Sequence, residues 1–307
     1  MRSTKPCYHV FLLSLLLLLT ATGLRAQTIP IDAAALPQPK PSQTPAATSS
    51  PSLEKEFFKN ILRDQRAIIT APFHLKESDA RFLLPLGATT AALIATDRHT
   101  AGALGDDQTR LRVSRDISYL GEFYTTGGIA GAFYLIGRAT HSEHARETGL
   151  LGIEALIDSG IDVQALKVIT QRPRPRVDDA SGEFFDRGNS FPSGHAISAW
   201  SLATVIAHEY GARRPFVRVG AYALATAVSL SRYTGRNHFL SDALVGSALG
   251  YGIGRYVYVK HHDPNLDGTV GRSTSIAKSK WLPLIAPQFH AGDYRTRVYA
   301  GTLAWNF

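Results

Sequence analysis

From Arg81 onward the hydrophobic pattern repeats at helical spacing, and its apolar runs are short. Phe82–Thr96 and Phe123–Gly137 lack Asp, Glu, Lys and Arg for 15 residues each, Val219–Ser231 for 13 and Ala243–Gly254 for 12. A membrane span needs about 20 predominantly apolar residues, and these runs are also rich in Gly, Thr and Ser. The pattern therefore predicts an all-α bundle, soluble or surface-associated, with helices over 79–96, 116–138, 143–157, 160–170, 195–210, 215–231 and 238–259. About 200 residues are ample for one such core. In the last of these helices Gly246, Gly250 and Gly254 fall four apart, a spacing that lets a neighbour pack close.

The segments flanking this domain differ in kind. Arg2 and Lys5 precede an apolar core from Val10 to Leu19 and the small-residue end Leu24-Arg25-Ala26, which predicts a signal peptide over 1–26. An uncleaved anchor is the other reading of the same run. Cys7 comes too early to be a lipidated cysteine, and cleavage after Ala26 would leave no cysteine at all. It would also remove Arg2, Lys5 and Arg25, lowering the formal charge from +8 to +5. That modest excess suits an anionic ligand or membrane surface. Basic residues gather in a few short segments rather than in stripes interleaved with aromatics, so no nucleic-acid partner is expected.

Residues 27–52 carry Pro30, Pro37, Pro39, Pro41, Pro45 and Pro51 among Ala, Ser, Thr and Gln and form a linker. A helix then starts near Leu53, with Phe57, Ile61 and Leu62 on one side, and ends at Pro72. The domain proper is expected over 53–262. In the tail, 263–307, alternating runs Trp281–Phe289 and Arg295–Phe307 predict a β-hairpin turned at Ala291-Gly292-Asp293. Two strands cannot close a barrel, so the hairpin is expected to cover the helical domain. Asp263-Pro-Asn265-Leu-Asp267-Gly268 imitates an EF-hand start, but position twelve is Thr274, which leaves a polar turn. His141, His144, His261 and His262 lie near helix ends without a convincing ligand set and read as surface residues.

Three segments hold the chemistry. Asn189-Ser190-Phe191-Pro192-Ser193-Gly194-His195 opens an apolar helical run. Ser193 is an N-cap candidate, Gly194 lets a ligand approach the backbone, and the helix N-terminus suits a phosphate. Upstream, Lys167 to Arg176 supplies cations in Lys167, Arg172, Arg174 and Arg176; downstream, Ser231 to Asp242 supplies Arg232, His238 and Asp242. His238 and Asp242 stand at i and i+4, so on one helix face the carboxylate can orient the imidazole. Fixed cations beside two histidines describe phosphoryl transfer without a metal.

These segments resemble the tripartite signature of the type 2 phosphatidic acid phosphatase superfamily, which includes bacterial acid phosphatases and vanadium haloperoxidases. Its pattern, Lys-x6-Arg-Pro, Pro-Ser-Gly-His and Ser-Arg-x5-His-x3-Asp, is filled by Lys167, Arg174-Pro175, Pro192 to His195, Ser231-Arg232, His238 and Asp242. The resemblance implies an all-α helical bundle of the acid phosphatase/haloperoxidase type. It implies His238 as nucleophile oriented by Asp242, and His195 as acid and then base. Lys167, Arg174, Ser193, Gly194 and Arg232 would hold the phosphate, with no cofactor. Only the family pattern selects Arg174 over Arg172; Arg172 and Arg176 remain for a supporting or surface role. The expected activity is a metal-independent phosphomonoesterase using a phosphohistidine. The expected place is the periplasm, with soluble monoesters as substrates and lipid phosphates as the alternative. A vanadium-dependent haloperoxidase and a non-catalytic phosphate-ligand binder are the rival readings. Peripheral membrane contact and an oligomer are both compatible with the sequence.

Overall fold

The structure, a computed structural model, describes residues 53–177 and 181–267 and the paired backbone of 284–289 and 299–304. The leader, the proline-rich linker and the hairpin turn at Ala291–Asp293 lie outside the described residues. Among the described residues eight α-helices follow one another: α1 Leu53–Thr70, α2 Glu77–Ala103, α3 Gln108–Ser118, α4 Phe123–Thr140, α5 Glu143–Thr170, α6 Gly194–Gly211, α7 Pro215–Thr234 and α8 Leu240–His261. Two short strands, β1 Leu284–Phe289 and β2 Tyr299–Ala304, pair antiparallel with Leu284 opposite Ala304 and Phe289 opposite Tyr299.

The bundle is wrapped around α6, which packs against α5, α7 and α8. Its buried positions are mostly small: Ala196, Ser198, Ala199, Ser201, Ala203, Thr204 and Ala207. Small side chains bring neighbouring backbones close, and α8 exploits this with its glycine row. A methyl group at Gly246, Gly250 or Gly254 would collide with the carbonyl oxygens of Ser193, Ile197 and Ser201 respectively. Leu151, Ala155 and Val163 of α5, Ile197 and Val205 of α6, and Ile253 and Val257 of α8 form the main apolar core. No helix among the described residues is long and apolar enough to cross a membrane. Even the stretch 188–208, free of Asp, Glu, Lys and Arg, turns helical only at Gly194.

Several boundaries differ from the sequence reading. The Asp158-Ser159-Gly160 step does not break the chain, so 143–157 and 160–170 are one helix, α5. Ser159 makes this possible by turning its hydroxyl onto the Ala155 carbonyl and the Ser201 hydroxyl instead of interrupting the ladder. α3, a mostly polar segment capped by Asp107 on the Arg110 amide, lacks the apolar stripe that would have shown it as separate. On α1 the expected Ile61 is buried and Phe57 half-buried, but Leu62 is 75% exposed, and the polar Asn60 and Asp64 are buried in its place. In α2 the apolar residues Phe82, Leu83 and Leu84 stay exposed, and the buried positions are Asp97 and Ala101, where the helix meets α8.

Candidate active site

The N-terminus of α6 faces the start of α8. Ser193, the residue before α6, donates its amide to the Asp242 carbonyl (3.0 Å) and accepts at its own carbonyl from Ile197 (3.1 Å). Its hydroxyl does not cap the helix; it is buried and has no hydrogen-bond partner. A buried hydroxyl left unmatched at a helix N-terminus is available to an anion. The Lys167 Nζ sits 3.6 Å from where a Gly194 Cβ would stand, so glycine leaves the ammonium an open path to the helix start.

His238 precedes α8 rather than lying on it, because the helix begins at Leu240. Its ring is buried, with Nδ1 2.7 Å from the Ser190 carbonyl oxygen. A carbonyl only accepts, so Nδ1 carries the hydrogen and Nε2 keeps its lone pair. Asp242 is placed differently from the expected direct partner: its Oδ2 lies 3.6 Å from His238 Nδ1. That oxygen accepts from the Ser190 hydroxyl (2.5 Å) and the Phe239 amide (3.0 Å). Asp242 thus steers the imidazole largely through Ser190. Burial pushes the His238 imidazole down to about 4, with Arg232 and Arg174 adding to the fall and Asp242 opposing it. Burial alone would raise the Asp242 carboxyl; the His238 ring, Arg172 and Ser190 outweigh it and hold it below the ordinary aspartate value.

His195, on the first turn of α6, is pushed down to about 3 by burial and then by Arg232, His238, Lys167 and Arg174. Its nearest carboxylate is Glu122, with Oε1 4.0 Å from Nε2. The Arg232 guanidinium is held down to about 10 by burial and by Arg174, and donates from Nη1 to the Ser118 hydroxyl while its Nε has no hydrogen-bond partner. Burial and the charges of Arg174 and Arg232 lower Lys167 as well. Arg174 donates from Nε to Asn189 Oδ1 (2.9 Å). Among the described residues none of Lys167, Arg174 and Arg232 forms an ion pair with a carboxylate. Arg174 and Arg232 depress Lys167, Arg174 also depresses Arg232, and burial lowers all three; set around two neutral histidines, these cations make a site that stabilises an incoming dianion.

The structure therefore brings Lys167, Arg174, Ser193, Gly194, His195, Arg232, His238 and Asp242 into one cluster, and it separates the tandem arginines. Arg172 is 1% exposed. It donates to Asp242 Oδ1 (2.6 Å), Asp97 Oδ2 (3.0 Å), the Ser241 hydroxyl (2.8 Å) and the Gly182 carbonyl (2.9 Å). Arg176 is exposed. Ser190, Ser118, Glu122 and Asp97 were not singled out by sequence reasoning. Asp97 and Glu122 left a trace as the charges bounding the apolar runs 82–96 and 123–137, and Ser190 as a member of the segment 189–195.

The charge pattern sets an expected titration. An anion that neutralises Lys167, Arg174 and Arg232 offsets the positive charges that lower His195, so its pKa rises on binding. Histidine NMR, assigned with a His195→Gln chain, is expected to show His195 below 6.5 in the free protein and at least one unit higher with saturating inorganic phosphate. An unshifted resonance would place the phosphate elsewhere.

Residues 149–265 match the family profile of the PAP2 superfamily. A stretch of 70 residues is 40% identical to the lipid A 1-phosphatase of Porphyromonas gingivalis, covering 23% of this chain and 16% of that relative's length. Two solved structures share lower similarity. The transmembrane PAP2-type phosphatidylglycerolphosphate phosphatase of Bacillus subtilis is 23% identical, with 72% of this chain and 98% of that one covered at a TM-score of 0.43. LpxE of Aquifex aeolicus is 22% identical, with 50% and 88% covered at a TM-score of 0.40.

Proposed function

We propose that this chain, whose residues 149–265 match the PAP2 superfamily profile, is a phosphatase acting on lipid phosphomonoesters through a phosphohistidine, with no metal in the phosphoryl site. The observation that carries this reading is the trio Lys167, Arg174 and Arg232, without an ion-paired carboxylate among the described residues, gathered around two histidines whose burial keeps them neutral.

In this mechanism the trio, the Ser193 hydroxyl and the first amides of α6 hold the non-bridging phosphate oxygens, where charge develops in the transition state. The His238 Nε2 lone pair attacks phosphorus in line, forming the N–P bond as the ester P–O bond breaks. His195, protonated once the dianion offsets the surrounding cations, gives its proton to the leaving alkoxide. It then takes a proton from water, whose oxygen attacks phosphorus and releases phosphate and His238. Glu122 is the carboxylate placed to favour the charged form of His195.

The preference for lipid substrates rests on the surroundings of these groups and on the named activity of the P. gingivalis relative. Next to Glu122 in the chain, Phe123 is 49% and Tyr124 88% exposed; after Lys167, Val168 is 71% exposed; in the loop with Arg174, Val177 and Phe185 are exposed too. Exposed apolar side chains that neighbour phosphate-site residues in sequence fit a ligand whose far end is a hydrocarbon. The sequence reading ranked soluble monoesters first; these residues and the relative support putting lipid phosphates first in this proposal. With the expected leader, the site works outside the cytoplasmic membrane. In chelator, the chain is expected to cleave a long-chain lipid phosphate in mixed micelles at least about tenfold faster, by kcat/KM, than glycerol phosphate or a nucleotide. Equal rates on soluble esters would remove the lipid assignment. Bromination with vanadate, peroxide and bromide, alongside negligible phosphate release, would replace phosphatase by haloperoxidase.

A further inference from the structure

Far from the phosphoryl site, α1, α5 and α8 bring together buried groups that the chemistry above does not use. Glu154 precedes Lys167 by 13 residues on α5, about 20 Å along the helix. His261 ends α8, the helix whose start carries Asp242. His144, His261 and His262, expected on the surface, each face a buried carboxylate instead; His141 alone is exposed.

We propose that Asp64, Glu154 and His261 form a binding site for a divalent transition metal, with Zn²⁺ the best-matched ion. His261 Nε2 lies 2.9 Å and 3.1 Å from the Asp64 carboxylate oxygens and 3.5 Å from Glu154 Oε1. One atom from each residue falls within 4.8 Å of the others. Zinc bonds of about 2.0–2.2 Å to nitrogen and oxygen in a tetrahedron set neighbouring ligand atoms roughly 3–3.5 Å apart, which the distances from His261 Nε2 to both carboxylates approach. The donor set is mixed, imidazole with carboxylate, and suits Zn²⁺ better than Mg²⁺ or Ca²⁺.

A second, independent observation points the same way. Asp64 is 0% and Glu154 1% exposed, and Glu154 Oε1 has no hydrogen-bond partner. Among the described residues no lysine or arginine pairs with either carboxylate. One turn along α5, Asp158 adds another buried carboxyl; Gln65 donates to its Oδ1 (3.0 Å) and its Oδ2 has no hydrogen-bond partner. Buried carboxylates without a compensating cation are costly, and a dication resolves the cost. A bound ion would clamp α1, whose buried positions include the polar Asn60 and Asp64, onto the middle of α5 and the end of α8. A neighbouring triad, Glu147, Glu209 and His262, has donor atoms equally close and must be separated by the experiment.

The full-length chain, stripped with chelator and dialysed, is titrated with ZnCl₂ alone and followed by calorimetry, metal analysis and thermal melting. The expected result is uptake of at least one Zn²⁺ per chain, with Kd below about 1 µM and Tm raised by roughly 5 °C. Glu154→Gln, close in shape and able to fold without the metal, is expected to lose one equivalent and most of the Tm rise. His261→Ala is expected to do the same. Turnover of the stripped chain on lipid phosphate should stay within about twofold of the loaded chain, since the site lies a helix-length away from His238. No uptake, uptake unchanged in both variants, or uptake lost only in Glu209→Gln would each overturn the assignment. The first of these outcomes would leave a proton-sharing Asp64–Glu154 pair in its place.

Discussion

Replacing His238 with alanine is expected to lower kcat by at least about 10³-fold while the chain stays folded. The ring is neutral, its Nδ1–H is committed to the Ser190 carbonyl, and only Nε2 is left to act. Alanine removes the atom that attacks phosphorus, and neither His195 nor water reproduces its position. The structural cost is one lost hydrogen bond and a small cavity beside Ser190, about 1–3 kcal/mol, which a bundle of this size can absorb. The measurement is steady-state release of phosphate together with a thermal melt, so that lost turnover is not confused with lost fold. Rapid quenching at alkaline pH separates covalent catalysis from base catalysis. Wild type should yield an acid-labile, base-stable phosphoenzyme. His195→Ala should hold it longer, because the water that hydrolyses it is no longer activated. Retention of a tenth of kcat in His238→Ala would end the covalent reading.

How far such a site can be read in a sequence depends on how local its contacts are. The cations, the two histidines and the α6 start sit in three short segments, so their chemistry shows in one dimension. Asp242 was legible as a partner of His238 at i+4, but its route through Ser190 was not, since His238 lies in a loop 48 residues away from that serine. Ser193 fitted the residue preference of an N-cap, and only the fold reveals that its hydroxyl has no amide to accept from. The α6 core and the glycine row of α8 followed from periodicity. The polar inward face of α1 did not, because Asp64 meets Glu154 and His261 across 90 or more positions, and a helix of mixed character gives no sign of which side is buried.

The same limit explains the tandem arginines, whose contrasting roles give the largest stability effect expected here. Arg172→Ala should lower Tm by about 10 °C, whereas Arg174→Ala should leave Tm nearly unchanged and lower kcat/KM by about 10²–10³-fold. Arg172 is enclosed between the rings of Phe184 (4.8 Å) and Phe239 (4.1 Å) and serves two buried carboxylates at once. Its loss leaves Asp97 and Asp242 buried with their charges unmatched, a cost of about 3–5 kcal/mol. Lysine does not repair this, because one ammonium cannot reach Asp97, Asp242, Ser241 and the Gly182 carbonyl in a planar fork. Arg174 bonds Asn189 and otherwise repels Lys167 and Arg232, so removing it relieves the free protein as much as it costs. Its value appears only when a phosphate arrives. Arg172→Ala melting within about 1 °C of wild type, or Arg174→Ala keeping full kcat/KM, would show that the two positions had been assigned the wrong way round.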